Sequence, residues 1–433
     1  MVAPGPRFRL PTSLAILRDP DRAYERWKAR YGATFLARAV NGDVVITGDP
    51  AVIRDLFRAT DHQVEPFRPE VFAPLLGPNS LFALKGEAHV EERKLLMPPF
   101  HGQRMRAYGE LIQQCTLAEL EGWRPGDRVV MSDAMLTVSL QVIVQAVFGV
   151  QDAEGQARWE ALLRETIDAF DPLALFVPQL QKAWFPPYRR FAAARDALHA
   201  GLMDHIRQAR AAPRGDDILS LLLDATYSDG RPMSDEAMRD ELISLLFAGH
   251  ETTQISMAWA LYRLHERPET LHRLREELDA SGDAPATLAK LPYLSAVVDE
   301  TLRIDPIVPD VIRTLTVPMQ LGPHHLSAGT HVAPVAAMVH RDPTIYPDPE
   351  RFEPQRFLDG RFRPWEFLPF GGGTRRCVGA ALATYEMKIV LGTLLRRVEL
   401  ALDGDDHLVR RTVTLAPRRG VPTTITARRH GQG

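Results

Sequence analysis

The sequence FLPFGGGTRRCVGA at residues 367–380 decides how the rest of the chain is interpreted. Three consecutive glycines at 371–373 exclude a helix or a regular strand and predict a loop whose backbone can approach a neighbouring group closely. After Cys377 the apolar residues recur at helical spacing, which predicts a helix. A thiol at this junction meets the unpaired N–H groups and the positive dipole end of that helix, and both stabilise its thiolate. Cys377 is therefore a candidate soft, anionic ligand for a metal.

Five positions of this stretch, Phe370, Gly373, Arg375, Cys377 and Gly379, match the pattern F-x-x-G-x-R-x-C-x-G. In this pattern the chain resembles the cytochrome P450 superfamily, in particular its soluble bacterial members. The resemblance implies haem b as the cofactor, with Cys377 as the axial iron ligand, Phe370 beside the sulfur and Arg375 paired with a haem propionate. Gly379 is expected to contact the cofactor as well. For a lone cysteine, the alternative is a buried and inert thiol.

The same resemblance implies the fold. It is mainly α with small β-sheets, a triangular prism-like helical bundle that holds the haem between a long central helix and the loop with the cysteine ligand. Residues 1–433 are expected to form a single catalytic domain with no fused reductase. The asparagine–glycine pair at 41–42, between two alternating apolar runs, predicts a β-hairpin over residues 33–48. Residues 412–415 and 421–427 are expected to form a C-terminal hairpin.

Composition excludes several other classes of protein. A net charge of −3 over 433 residues argues against a nucleic-acid-binding protein. The only two cysteines, Cys115 and Cys377, give no disulfide framework, which favours a reducing cytoplasm. The first residues contain no long apolar segment, so neither a secretory signal nor a membrane anchor is expected. We expect a monomer.

A single long helix is predicted over residues 235–267, and its middle reads AGHETT at 248–253. A glycine within a helix costs about 1 kcal/mol relative to alanine, and buried polar groups need partners. This segment resembles the family signature A-G-x-[D/E]-T-[T/S]. The resemblance implies that Ala248 and Gly249 lie against the haem, that Glu251 relays protons and that Thr252 positions the proton donor during dioxygen activation. The alternative is a helix kink whose polar groups are internally satisfied.

Three further residues are candidate ligands of the haem propionates. His89 and Arg93 are four residues apart and therefore share a helix face that could bind two oxyanions. The family has H-x-x-x-R here, and Arg313 matches another propionate ligand. The alternative for His89 and Arg93 is a solvated charged face.

Glu300 and Arg303 form an E-x-x-R pair on a predicted helix. The family connects this pair to a later arginine in a buried ionic network behind the cysteine loop. We expect Arg351 to be that third member and the network to fix geometry rather than to add much stability.

Apolar residues in the proline-rich segments 62–86 and 171–187 are predicted to surround the substrate, with packing in the protein core as the alternative. Together with residues of the central helix and of the stretch before Arg313, the candidate pocket residues are Phe67, Phe72, Leu81, Phe82, Phe176, Ala248, Val308 and Val311.

The expected activity is insertion of one oxygen atom of O₂ into a C–H or C=C bond of a hydrophobic small molecule. An apolar pocket without an obvious partner for a carboxylate favours a terpenoid, as in secondary metabolism. Electrons are expected from NAD(P)H through a ferredoxin reductase and a ferredoxin that docks on a basic patch of Arg375, Arg376, Arg396 and Arg397. The alternatives are a fatty-acid hydroxylase, a peroxygenase or isomerase of the same fold, and a non-enzymatic haem carrier or sensor.

Overall fold

The long central helix runs from Asp235 to Glu266 in the computed structural model, one residue shorter than predicted. Asp235 and Glu236 in its first turn interact favourably with the positive end of the helix dipole, and Arg263 and His265 in its last turn interact favourably with the negative end. Residues from Met257 to Leu261 are almost completely buried, so the second half of this helix is a core element. The structure describes residues 2–100, 102, 104–171, 178–411 and 413–429.

Helices make up most of the described chain, which confirms the predicted mainly α class. Their bounds are α1 Arg9–Arg18, α2 Pro20–Tyr31, α3 Pro50–Phe57, α4 Ala73–Leu76, α5 Gly86–Leu96, α6 Arg104–Glu121, α7 Met131–Ala146, α8 Ala153–Ala169, α9 Pro186–Ala211, α10 Ile218–Asp224, α11 Asp235–Glu266, α12 Pro268–Asp279, α13 Pro285–Leu288, α14 Pro292–Ile304, α15 Ala336–His340, α16 Gln355–Asp359 and α17 Ala380–Arg397. Within the described residues, no helix combines the length and the apolar character needed to cross a bilayer.

The strands are short and form small sheets. They are β1 Ala3–Pro4, β2 Thr34–Ala39, β3 Gly42–Thr47, β4 Val64–Pro66, β5 Arg128–Val130, β6 Arg313–Leu315, β7 Met319–Leu321, β8 His324–Leu326, β9 His331–Pro334, β10 Val398–Leu402, β11 Leu408–Arg410, β12 Leu415–Pro417 and β13 Pro422–Arg428. The largest sheet has six strands in the order β1-β2-β3-β9-β6-β4.

The hairpin predicted around residues 41–42 is confirmed, because β2 and β3 pair antiparallel and Ala39 lies opposite Gly42. The N-terminus of helix α3 is stabilised by a capping aspartate and a proline. The Asp49 carboxylate accepts the N–H of Ala51 at 2.8 Å, and Pro50 occupies the first turn of α3. Helix α3 matters for the site because it packs against the cysteine loop, as described below.

The C-terminal hairpin was predicted with the wrong partners. Strand β12 pairs with β11, and β13 pairs with β10 on one side and with β5 on the other. The distant β5 offers β13 a second row of backbone partners, so β13 becomes a central strand rather than one arm of a hairpin.

The contacts divide the chain into two compact units. The first contains Met1–Phe67, Thr116–Met135 and Thr252–Gly433, and with them all the strands. The second contains Arg68–Cys115 and Leu136–Glu251 and is built from helices. Helix α11 contributes its first half to the second unit and its second half to the first.

Candidate functional site

The cysteine loop is shaped by its three glycines. Gly371 and Gly373 have φ of 62° and 70°, in the left-handed region that other residues rarely adopt. A Cβ added to Gly372 would lie 2.1 Å from Cδ2 of Phe57, so only glycine allows the loop to pack against the end of α3. The Cys377 N–H donates to the Phe370 carbonyl at 3.0 Å. Three residues later α17 begins, and the thiol of Cys377 is exposed, as a ligand must be.

His340 fastens the start of this loop. Its Nε2 accepts the N–H of Leu368 at 2.8 Å, and its Nδ1 donates to the carbonyl of Arg303 at 3.0 Å. The imidazole is completely buried, and burial together with the charge of Arg303 lowers its pKa to about 3. It is therefore neutral at physiological pH, with the tautomer that both hydrogen bonds require.

Two of the predicted propionate ligands, Arg313 and Arg375, lie close together beside Asp61. Arg375 forms an ion pair with Asp61 at 3.7 Å, and the two side chains are only 7% and 6% exposed. Burial, followed by the charge of Arg375, lowers the pKa of Arg313 to about 10. Two guanidinium groups close to one buried carboxylate make this part of the structure electrostatically favourable for further carboxylates.

The predicted oxygen-activating segment lies on one accessible face of α11. Ala248 is exposed and Leu245, Gly249 and Thr252 are partly exposed, at the spacing i, i+3, i+4 and i+7, whereas His250 and Thr253 on other faces are buried. Glu251, next to this face, is partly exposed. Among the described residues, a Cβ on Gly249 would meet the Ile143 side chain at 3.8 Å, an ordinary contact. The glycine therefore does not relieve a clash here; it keeps this face of the helix free of a side chain.

His89 and Arg93 lie on α5, as predicted, where His89 is buried and Arg93 is partly exposed. His89 is 1% exposed, whereas Lys94 is exposed and pairs with Glu91 at 2.6 Å. Lys94 rather than His89 therefore lies on the solvated side of the helix. The burial of His89 argues against the reading of His89 and Arg93 as a solvated charged face.

The ionic network behind the loop contains a different arginine from the one predicted. Glu300 accepts from Nε of Arg303 at 2.6 Å and from Nε of Arg356 at 3.1 Å. The side chain of Arg351 is 58% exposed and pairs with Glu353 at 3.2 Å. Its prediction as the third side chain was therefore wrong, although its carbonyl accepts from Arg303 and Arg356 at 3.3 Å. The chain turns after Pro354 into α16, which carries Arg356 toward Glu300.

The candidate pocket residues occupy varied positions. Val308 and Val311 are partly exposed, and Val311 lies next to Gly371 of the cysteine loop. Phe67 packs edge-on against His331, with ring centroids 4.8 Å apart, so it has a structural partner already. In the other unit Phe72 and Leu81 are partly exposed and Phe82 is 47% exposed. Phe176 lies outside the described residues.

The proposed basic patch for a ferredoxin is smaller than predicted. Arg375 is buried with Asp61, Arg396 donates to the carbonyls of Leu278 and Ser281, and Arg397 pairs with Asp283 at 3.6 Å. Arg376 is exposed, and its guanidinium lies 5.9 Å from the ring centre of Phe370. Arg376 is therefore the most exposed cation of this set, while Arg397 is partly exposed and paired.

The residues of the cysteine loop and its surroundings have the chemistry that haem requires. An accessible cysteine supplies the soft ligand, and Arg313 with Arg375 supplies the positive charge that carboxylates would balance. Three participants, Asp61, His340 and Arg356, were not predicted. Arg356 carried a signal, because it stands in the segment FEPQRF close to Arg351, whereas Asp61 and His340 reach the loop only through tertiary contacts.

Comparison with known proteins shows the family of the chain. The family model described as "Cytochrome P450" matches residues 7–420. Cytochrome P450 135B1 of Mycobacterium tuberculosis is 34% identical and aligns with 98% of this chain and 92% of its own length. Cytochrome P450 137 of the same species is 35% identical, over 96% of this chain and 89% of its own.

Solved structures share the fold. Cyanobacterial CYP120A1 with bound retinoic acid superposes with a TM-score of 0.87 at 27% identity, over 98% of this chain and 99% of that one. The haem domain of cytochrome P450DA superposes with a TM-score of 0.86 at 22% identity, over 99% and 98%, and it supports the fold alone. The chain belongs to the cytochrome P450 family, whose members are monooxygenases that bind haem through a cysteine thiolate.

Proposed function

We propose that the protein inserts one oxygen atom of O₂ into a C–H or C=C bond of an apolar, terpenoid-sized molecule. The observation that carries this proposal is the accessible face of α11, where Leu245, Ala248 and Gly249 offer small or apolar groups next to Thr252. Val308 and Val311 are partly exposed as well, and such surfaces suit an apolar guest. CYP120A1, at 27% identity, binds retinoic acid, which is an isoprenoid.

Five side chains of the protein are given roles in the reaction, and two more are proposed as propionate ligands. When bound, the haem supplies dioxygen activation and accepts electrons. The Cys377 thiolate would hold the iron, and the guanidinium groups of Arg313 and Arg375 would neutralise the propionates. The Glu251 carboxyl group takes protons from solvent, and the Thr252 hydroxyl holds the proton donor in place. His89 and Arg93 are proposed as further propionate ligands.

The role of Thr252 is tested by comparison with its neighbour. Thr252 is on the accessible face of α11, whereas Thr253 is 4% exposed and faces the interior. Thr252→Ala should keep electron consumption but form much less product, since an efficiency loss of about 10²-fold or more is typical when a proton-transfer group is removed. Thr253→Ala should leave the ratio of product to electrons unchanged. Equal uncoupling in both variants would refute the assignment.

The roles of Arg375 and Arg376 can also be distinguished by comparing variants of the two neighbouring residues. Arg375→Gln removes a buried charge beside Asp61, so we expect a lower ratio of haem to protein after purification. Arg376→Gln changes an exposed residue and should retain haem. A haem content that is unaffected in Arg375→Gln, or equally reduced in both variants, would show that Arg375 does not hold a propionate.

The substrate class is tested by spectroscopy. Purified protein is titrated with terpenoids and with fatty acids of similar size, and the shift of the resting haem to high spin is recorded. Saturable shifts with terpenoids, together with none from fatty acids, support the proposal. A shift only with fatty acids would favour a fatty-acid hydroxylase.

We also propose that electrons come from NAD(P)H through a ferredoxin reductase and a ferredoxin, and that residues 1–433 act as one catalytic domain, as a monomer in the cytoplasm. Exposed Arg376, adjacent in sequence to the haem ligand Cys377, supports docking of an acidic carrier close to the cofactor. Arg376→Glu should slow reduction by ferredoxin at low ionic strength without loss of haem. A reduction rate that is independent of this charge and of salt would contradict this docking site.

A further inference from the structure

The outer face of α1 carries an unusual set of exposed apolar side chains. Leu10, Leu14 and Leu17 are 62%, 55% and 60% exposed, and Phe8, just before the helix, is 75% exposed. The three leucines follow the spacing i, i+4 and i+7, so they form one stripe along the helix. Isolated exposed leucines are ordinary, but a contiguous stripe usually marks an interaction site.

The helix cannot bury this stripe by turning around its axis. Its opposite face is occupied, because Thr12 is 2% exposed and Ile16 packs against the core cluster that contains Tyr24 and Phe35. The Thr12 hydroxyl also donates to the Phe8 carbonyl at 2.7 Å. The leucine stripe is therefore a fixed part of the surface.

The β2–β3 hairpin extends the apolar surface. The N–H of Val40 donates to the hydroxyl of Ser13 at 2.9 Å, and Nη1 of Arg9 donates to the carbonyl of Ala39 at 2.9 Å. These bonds hold the hairpin tip beside α1, and Val40 at that tip is 58% exposed. We call the surface formed by Phe8, Leu10, Leu14, Leu17 and Val40 the N-terminal patch.

The charged residues of the α1 segment are all basic, and the nearby carboxylates of Asp43 and Asp19 are paired with other arginines, Arg9 and Arg38 for Asp43 and Arg22 for Asp19. Residues 2–18 contain Arg7, Arg9 and Arg18 and no acidic residue, although the whole chain has a net charge of −3. Arg9 pairs with Asp43 at 2.8 Å, whereas Arg7 and Arg18 are exposed at the two ends of the stripe. Leucine and phenylalanine between arginines are typical of helices that lie in the interface of an anionic membrane.

We propose that the N-terminal patch docks the protein on the surface of an anionic lipid bilayer. Leu10, Leu14 and Leu17 would enter the boundary between headgroups and acyl chains, while Arg7 and Arg18 face lipid phosphates. A helix of 10 residues, about 15 Å long, is too short to cross a bilayer, so this is attachment to one face. A bilayer surface suits this patch better than a groove on another protein. Arg7 and Arg18 lie at the two ends of the apolar stripe, so they can contact lipid phosphates while the leucines contact acyl chains.

The test is sedimentation of the haem-loaded protein with vesicles of phosphatidylcholine, with and without phosphatidylglycerol. We expect binding to the anionic vesicles that weakens as salt is added. In the double variant Leu14→Ser with Leu17→Ser, binding should fall by about tenfold or more, since each leucine contributes strongly when buried. In Arg7→Gln with Arg18→Gln, it should fall by about fivefold for each arginine, and only on anionic vesicles.

The matched control is Leu358→Ser, which removes an exposed leucine of α16 and should not change binding. The haem spectrum and circular dichroism establish that each variant is folded. The proposal is overturned if the unaltered protein remains in the supernatant with anionic vesicles, or if the leucine variant sediments as well as the unaltered protein. It is also overturned if light scattering shows a dimer that the leucine variant abolishes while vesicles bind neither protein, because the patch would then serve self-association.

Discussion

Replacing Arg356 or Arg351 distinguishes a buried member of the ionic network from an exposed neighbour. The side chain of Arg356 is 9% exposed and that of Glu300 is 0% exposed, whereas Arg351 is 58% exposed. Arg356 gives Glu300 a charged hydrogen bond at 3.1 Å. It also donates to three backbone carbonyls, those of Pro347, Asp348 and Arg351.

The expected loss of folding stability in Arg356→Ala depends on the hydrogen bonds that the Glu300 carboxylate keeps. Breaking a buried ion pair by removing one partner costs about 3–5 kcal/mol. In Arg356→Ala, Glu300 still accepts from Arg303 and from the N–H of Glu353 at 2.7 Å, so we expect the lower end, about 3 kcal/mol. Arg351→Ala removes an exposed pair with Glu353 and keeps the carbonyl that the network uses, so it should cost less than about 1 kcal/mol.

The assay is urea unfolding followed by far-UV circular dichroism, with all proteins in the same haem-loaded state. The midpoint should fall in Arg356→Ala and stay close to the original in Arg351→Ala, with an unchanged slope in both. Arg356→Lys keeps the charge but loses the planar fork, so it should lie between them. If Arg351→Ala destabilised the protein as much as Arg356→Ala, the assignment of the third side chain to Arg356 would be refuted.

Three further outcomes are expected. His340→Phe leaves the Leu368 N–H without its acceptor, so unfolding should become easier by about 1–3 kcal/mol and haem should be retained less well; an unchanged midpoint would contradict this. Gly372→Ala places a Cβ inside the Phe57 ring and should lower haem content, while Gly122→Ala, just after α6 and with no described atom within 4 Å of the added Cβ, should not; equal effects would argue against packing of the loop on α3. Burial, then the charges of Glu92 and Asp240, raises the pKa of Glu241 well above its usual 4.5, so the folded state loses stability as pH rises from about 4.5 toward that raised pKa. Glu241→Gln should therefore stabilise the protein at about pH 8 and lose this advantage near pH 5 in thermal melts, and a gain that does not depend on pH would disprove the assignment.

Features with short sequence separation were predictable. The glycine loop, the helix after Cys377 and the hairpin at residues 41–42 each depend on local conformational preference, and the structure contains all of them. The long helix α11 was also predictable, because its start carries acidic residues and Pro268 marks its end.

Features that depend on distant parts of the chain were not predictable from pattern. Arg351 and Arg356 stand five residues apart in one segment, and only the turn into α16 decides which guanidinium faces Glu300. Strand β13 pairs with β5, almost 300 residues earlier, and no local signal selects that partner. Asp61 is likewise not marked by any sequence pattern, because only the tertiary fold places it next to Arg375.

The fastening of the cysteine loop has a consequence for cofactor binding. The bonds from Leu368 to His340 and from Cys377 to Phe370 are made between protein groups alone. A ligand sulfur that is positioned in this way loses little conformational freedom when a porphyrin arrives. The position of the ligand sulfur should therefore depend on these two hydrogen bonds as well as on the metal, and a variant that loses either bond should hold the iron less well.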